Sequence, residues 1–235
     1  MATSVLRCSP LSRALYYFWR FMFSRKAGDP LKLFSNFGSV GSVKSRLAAF
    51  RSLFLKIDHM HTSEEQEYKS IFDDETESDG AYEYAKTQLY TLEYYSQAHR
   101  ISTLIACYSI LENSMVQMCD LYAEKRNFPI KVTDLRGEGI TRCQEYLEKH
   151  DLCDFSSPDL HAHWAKLKFL TKLRNCLAHC GGDITRSRVK ITPNTVNSTD
   201  GLYMKGNHIQ VESKYVLGSI DTVEQLFIGI SRQII

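Results

Sequence analysis

Residues 80–126 read GAYEYAKTQLYTLEYYSQAHRISTLIACYSILENSMVQMCDLYAEKR, a run with no proline and no interior glycine. Leu89, Leu92 and Tyr95, then Ile101, Leu104, Ile105, Tyr108, Leu111, Met115, Met118, Leu121 and Tyr122 fall at helical spacing, the signature of an apolar helix face. A single helix of this length is unusual. The pattern predicts either one very long helix or two joined near Ser96, ended by Pro129.

Downstream, Gly139 to Lys149 predicts a shorter helix with Cys143, Tyr146 and Leu147 on one side. Ser157-Pro158-Asp159 supplies an N-cap, a first-turn proline and an acid at the positive end of the dipole. The helix it opens runs through Trp164, Leu167, Leu170, Leu173 and Leu177 until Gly181-Gly182. Arg188 to Thr192 alternates like a strand, and Lys205-Gly206-Asn207 separates Leu202–Met204 from His208–Val211 as a small hairpin. A last helix spans about Lys214 to Arg232, with Val216, Ile220, Val223, Phe227 and Ile230 on one face. Upstream, Val43, Leu47, Phe50, Phe54 and Ile57 mark another amphipathic helix. The expected fold class is all-α, a helical bundle with one small β-hairpin near the C-terminus.

The composition agrees with a globular chain: of 235 residues, 43% are hydrophobic, 24% charged and 11% aromatic. No repeat recurs, and five prolines and twelve glycines exclude a collagen-like or low-complexity chain. The longest uncharged run of the apolar middle, Ile101 to Leu111, falls short of the ~18–20 residues that span a bilayer, so no transmembrane segment is expected. Seven cysteines without a C-x-x-C pair read as reduced, intracellular thiols.

Charge is uneven. Residues 1–57 hold ten Lys and Arg against Asp29 alone, so the net +2 of the chain leaves −7 for residues 58–235. Three segments are expected: a basic arm with the first amphipathic helix at 1–60, a solvated acidic linker at 61–79, and the helical domain at 80–235. A basic arm suits an anionic partner, whether nucleic acid, membrane surface or import receptor, or is a poorly ordered tail or an upstream start. Met1 to Gly28, rich in Arg and Ser and free of acids, has the look of a transit peptide or an interfacial helix.

The chemistry concentrates at Arg174-Asn175-Cys176-Leu177-Ala178-His179, in the last turns before Gly181. From Trp164 to Lys190, Lys166, Lys168, Lys172, Arg186, Arg188 and Lys190 face one acid, Asp183. A helix end beside a basic strip can hold a polyanion; Arg174 can grip a phosphate bidentately and His179 can move protons. Asn175 and His179 share a face, whereas Arg174 and His179 lie about 140° apart, so one helix does not easily aim both at one phosphate, while two copies about a two-fold axis could combine them. The alternative is ordinary: basic residues at a helix C-terminus complement its dipole. Cys176, His179 and Cys180, with Cys153, His161 and His163 upstream, lack the tight loop knuckles of structural zinc, and no metal or cofactor is expected. No separate element marks a Cys-His protease.

Arg174-Asn175-x-x-x-His179 resembles the R-N-x-x-x-H signature of the HEPN superfamily. Tyr108-Ser109-Ile110-Leu111-Glu112-Asn113 resembles its second helix, and Asp134 to Ile140 followed by Trp164 to His179 resembles the order of stand-alone bacterial members. The likeness covers about 80–235. It implies an all-helical homodimer and a metal-independent endoribonuclease, often a cytoplasmic toxin or antiviral effector with an antitoxin or activating partner. Arg174 would stabilise charge on the scissile phosphate, His179 would act as acid and base, Asn175 would orient the site, and Glu112 would be an auxiliary acid. Lys166, Lys168, Lys172, Arg186 and Arg188 would bind RNA. The rival expectations are a non-catalytic HEPN module that binds nucleotide or RNA or scaffolds a partner, and a regulator that binds through its basic arm.

Overall fold

The computed structural model describes residues 40–73 and 78–234. Its longest element is the predicted one. Helix α2, Asp79–Arg126, runs unbroken for 48 residues through Ser96, about 72 Å at 1.5 Å per residue. Its start is capped by Ser78, whose Oγ accepts the Ala81 N–H at 3.2 Å, with Asp79 in the first turn. Its end comes before Pro129, at Asn127, which takes the left-handed conformation with φ 53° and returns its N–H to the carbonyls of Ala123 and Glu124.

Helix α1, Val40–Asp73, lies along α2. This corrects the expected linker: residues 61–73 are helical. Glu and Gln are good helix formers, no glycine or proline interrupts them, and the strip still has an apolar side. Phe72 meets Tyr82 edge-on at 4.4 Å and Tyr68 meets Tyr84 at 6.3 Å, while Lys69 pairs with Glu65 one turn back at 2.6 Å. The boundary at 60 also moves, because Val43, Leu47 and Phe54 are buried in the same core as the later helices. Part of the basic excess belongs to that packing. Lys44 pairs with Glu224 at 3.8 Å, Arg51 pairs with Asp221, and Arg46 donates to the Ser114 hydroxyl. The transit-like reading of Met1–Gly28 falls outside the described residues.

After a single 3-10 turn, Val132–Asp134, come α3 (Gly139–Lys149) and α4 (Pro158–Cys180). Ser157 precedes Pro158 as expected, but its hydroxyl makes no cap; it accepts from the Gln233 amide at 2.8 Å. Gly181 closes α4 with φ 61°. The alternating Arg188–Thr192 forms no strand: it has no pairing partner, and only Ile191 turns into the core. A short helix α5, Pro193–Asn197, was not legible in the sequence. Strands β1 (Leu202–Lys205) and β2 (His208–Val211) pair antiparallel from Leu202 opposite Val211 to Lys205 opposite His208. Gly206 supplies the positive φ of 61° that a two-residue hairpin loop needs at its first central position.

Helix α6, Ser213–Gln233, packs on α1, α2 and α4. Gly229 brings it against α4, where a Cβ would run into the Leu160 side chain. The core is one cluster, joining Leu104, Leu111 and Met115 of α2 to Ile140 and Leu147 of α3, Trp164 and Leu167 of α4, and Ile220 and Phe227 of α6. Among the described residues, no helix is long and apolar enough to cross a membrane.

Candidate functional site

Helix α4 carries Arg174, Asn175 and His179 in its last two turns. Leu160, Trp164, Leu167, Leu170, Leu173, Cys176 and Leu177 are buried, which turns the opposite side outward. On that side Lys168, Lys172 and His179 are exposed and Asn175 is half-buried. At 100° per residue these four fall within about 60° of one another. His161 and Ala165, also exposed, continue the stripe toward the helix start at the same three- and four-residue steps. Lys166 is exposed too, but on another side of the helix.

Arg174 is half-buried and leaves the stripe. Its guanidinium carbon lies 5.4 Å from the centroid of the Tyr108 ring on α2, a cation over an aromatic face. Its Nη1 donates to the Asn175 Oδ1 at 3.0 Å, while its Nε is buried without an acceptor among the described residues. Within one chain, therefore, Arg174 points to α2 and His179 to solvent. Among the described residues no hydrogen bond or ion pair engages His179, or joins it to Arg174.

The sequence presents Tyr108 as one of the apolar residues at helical spacing and as part of the resemblance, and shows nothing of its partnership with Arg174. The ring is buried, and burial pushes the phenol up; the Thr171 hydroxyl opposes the rise, the Glu112 carboxylate adds to it, and the Arg174 guanidinium and Ile140 N–H oppose it. Glu112 stands one turn further along α2, half-buried and with no ion pair among the described residues. Both side chains face the start of α3. A Cβ on Gly139 would sit 3.3 Å from the Glu112 Oε1 and 3.3 Å from the Tyr108 hydroxyl, and Gly139 has φ 60°. The i, i+4 spacing of Tyr108 and Glu112 was a visible hint; the approach of α3 and α4 was not.

The hairpin frames the far end of the motif helix. Gly182 accepts the Ile209 N–H at 3.0 Å, and Ile184 donates to the Asn207 carbonyl at 3.1 Å. The Cys180 thiol donates to the Arg186 carbonyl at 3.4 Å, which folds the basic loop back over the helix end. Arg186, Arg188 and Lys190 are exposed there. Cys176 is buried, and that burial pushes its thiol up. Cys153 is buried and His161 exposed; among the described residues no three His, Cys, Asp or Glu side chains gather as metal ligands. No family model, curated protein or solved structure matches the chain.

Proposed function

We propose that the protein is a HEPN-type, metal-independent endoribonuclease that acts as a homodimer about α4. The observation that carries this reading is the outward stripe Lys168-Lys172-Asn175-His179, with Arg174 tethered to its edge through Asn175. Lysines at exposed positions attract a phosphate backbone. Two stripes apposed across a two-fold axis would set each copy's His179 beside the other's basic strip.

In this mechanism His179 takes the proton from a ribose 2′-OH as the oxygen attacks the adjacent phosphate, and returns a proton to the departing 5′-oxygen. Arg174 stabilises the charge that grows on the phosphate oxygens, and Asn175 holds the guanidinium in place. The products are a 2′,3′-cyclic phosphate and a 5′-OH. DNA, without the 2′-OH, is not a substrate. Arg186 and Arg188 extend the anion-attracting surface around the helix end, Lys166 adds charge on another side of α4, and Glu112, beside Tyr108 at the start of α3, is the auxiliary acid. The cellular role that fits is a cytoplasmic toxin or antiviral effector, held in check by an antitoxin or released by an activating partner.

The test is induced expression in a bacterium, with total RNA examined, and cleavage of RNA by purified dimer. Wild type should arrest growth and fragment RNA. His179→Ala and Arg174→Ala should each lower cleavage by about 100-fold or more while the dimer persists, and EDTA should leave wild-type cleavage unchanged. Full activity in either variant refutes the site. A dimer that binds RNA yet leaves it intact favours the non-catalytic module, a reading favoured also by the divergence of Arg174 and His179 within one chain.

A further inference from the structure

The environment of Arg174 assigns a role to a residue outside the motif. A guanidinium whose task is to meet a phosphate must be held in one orientation before the substrate arrives, because the rotamer freedom of a long side chain is otherwise lost at binding. Asn175 fixes one Nη atom of Arg174. The other constraint is the face of Tyr108, 5.4 Å away. No carboxylate lies within ion-pair distance of Arg174 among the described residues, so its charge is not spent on an internal partner. The ring supplies attraction without neutralisation.

The Tyr108 ring is itself held. Its face meets Arg174, while its hydroxyl end lies beside the Ile140 N–H at the first turn of α3 and the Thr171 hydroxyl one turn before Arg174 on α4. Gly139 allows that approach, since any side chain there would press on both Tyr108 and Glu112.

Resting on the ribonuclease reading above, we infer that Tyr108 is a positioning residue for Arg174, holding the guanidinium by its ring face so that Nη2, neither buried nor bonded to Asn175, is left for a substrate phosphate. The ring does the work, and the hydroxyl only locates the ring. Replacement by another aromatic preserves the role, and replacement by a flexible apolar side chain of similar size removes it.

The experiment uses the full chain labelled with ¹⁵N, and the Arg174 Nε–Hε resonance is identified by its loss in Arg174→Lys. In wild type and Tyr108→Phe that resonance should lie upfield of free arginine, shifted by the ring current. In Tyr108→Met it should return to the free-arginine position. Cleavage of RNA should follow the same order, with kcat within about twofold of wild type for Tyr108→Phe and about tenfold lower for Tyr108→Met, the α-helical circular dichroism being unchanged. An unshifted Arg174 resonance in wild type overturns the inference without any variant, which covers the case in which Tyr108→Met fails to fold. A wild type that cleaves RNA with the Arg174 resonance indifferent to residue 108 overturns the positioning role and leaves the ribonuclease standing. A wild type that cleaves no RNA but shows the expected shifts overturns the ribonuclease reading and leaves the positioning of Arg174 standing.

Discussion

His99 on α2 stacks on Phe54 at 5.1 Å and meets the edge of His61 at 5.6 Å. Both Nδ1 atoms are buried without a partner among the described residues. The charged groups around the pair are Asp58, Glu64 and Arg100, with Arg100 paired to Asp58 at 3.3 Å and the Ser213 hydroxyl donating to the same carboxylate at 2.7 Å. Burial, then the neighbouring His61, push His99 down from 6.5 to about 4. A histidine depressed in the folded state is neutral there while the unfolded chain takes up the proton first. Its contribution to stability is therefore complete above the unfolded value of 6.5 and is lost as pH falls toward the folded value of about 4. After discounting for partial contact with water, the loss is about 2 kcal/mol. Urea unfolding at pH 7 and pH 4.5 should show that loss in wild type and a smaller one in His99→Leu. Equal losses in the two proteins would place the acid sensitivity elsewhere. At this scale the sequence was legible where geometry is local: the four-residue step from Asn175 to His179 predicts one shared face, and the two lie on one outward stripe of α4. The role of Tyr108 was not legible, because it depends on three helices meeting.

Among the elements, α1 shows how a charge pattern misleads. A run of acids reads as solvated chain, yet Glu is itself a good helix former, and one face of the same run holds Tyr68 and Phe72 against Tyr84 and Tyr82. The basic residues just upstream were read as an arm for the same reason: sequence alone shows the charge of Lys44, Arg46 and Arg51 but not that Glu224, Ser114 and Asp221 receive them. The consequence is practical. Deleting residues 1–57 removes Val43, Leu47 and Phe54 from the core, and each large apolar truncation costs about 2–5 kcal/mol, together more than a typical domain has to spare. Such a truncation should lose its cooperative thermal transition, whereas one ending before Val40 leaves all three in place. A deleted chain that still melts cooperatively near the wild-type temperature would show that α1 is dispensable. RNA affinity lost on the longer deletion reports unfolding rather than the work of an arm.

For the whole molecule, helix α2 is the common wall: α1, α3, α4, α6 and β2 all pack on it. Its class was legible because apolar residues at helical spacing, with no breaker for 46 positions after Gly80, allow little else. The hairpin was legible from its turn, but its place was not, since Gln97 of α2 pins it by donating to the Val211 carbonyl and accepting the Val211 N–H, each at 3.0 Å. Burial along α2 is lopsided. From Thr103 to Ala123 eleven side chains are buried, whereas before Thr103 only Ala85 and Leu92 are, and Tyr90 and Tyr94 are 67% and 72% exposed. One continuous ladder of hydrogen bonds thus spans two regions of unequal tertiary support. Amide hydrogen exchange should grade along it, with protection near the global unfolding free energy around Leu111 and opening by local fraying toward Asp79. Uniform protection from end to end would mean that the helix opens only as a unit. Graded exchange makes the Asp79 half a semi-independent foldon, able to melt and re-form while the motif helix and its supporting ring stay in register.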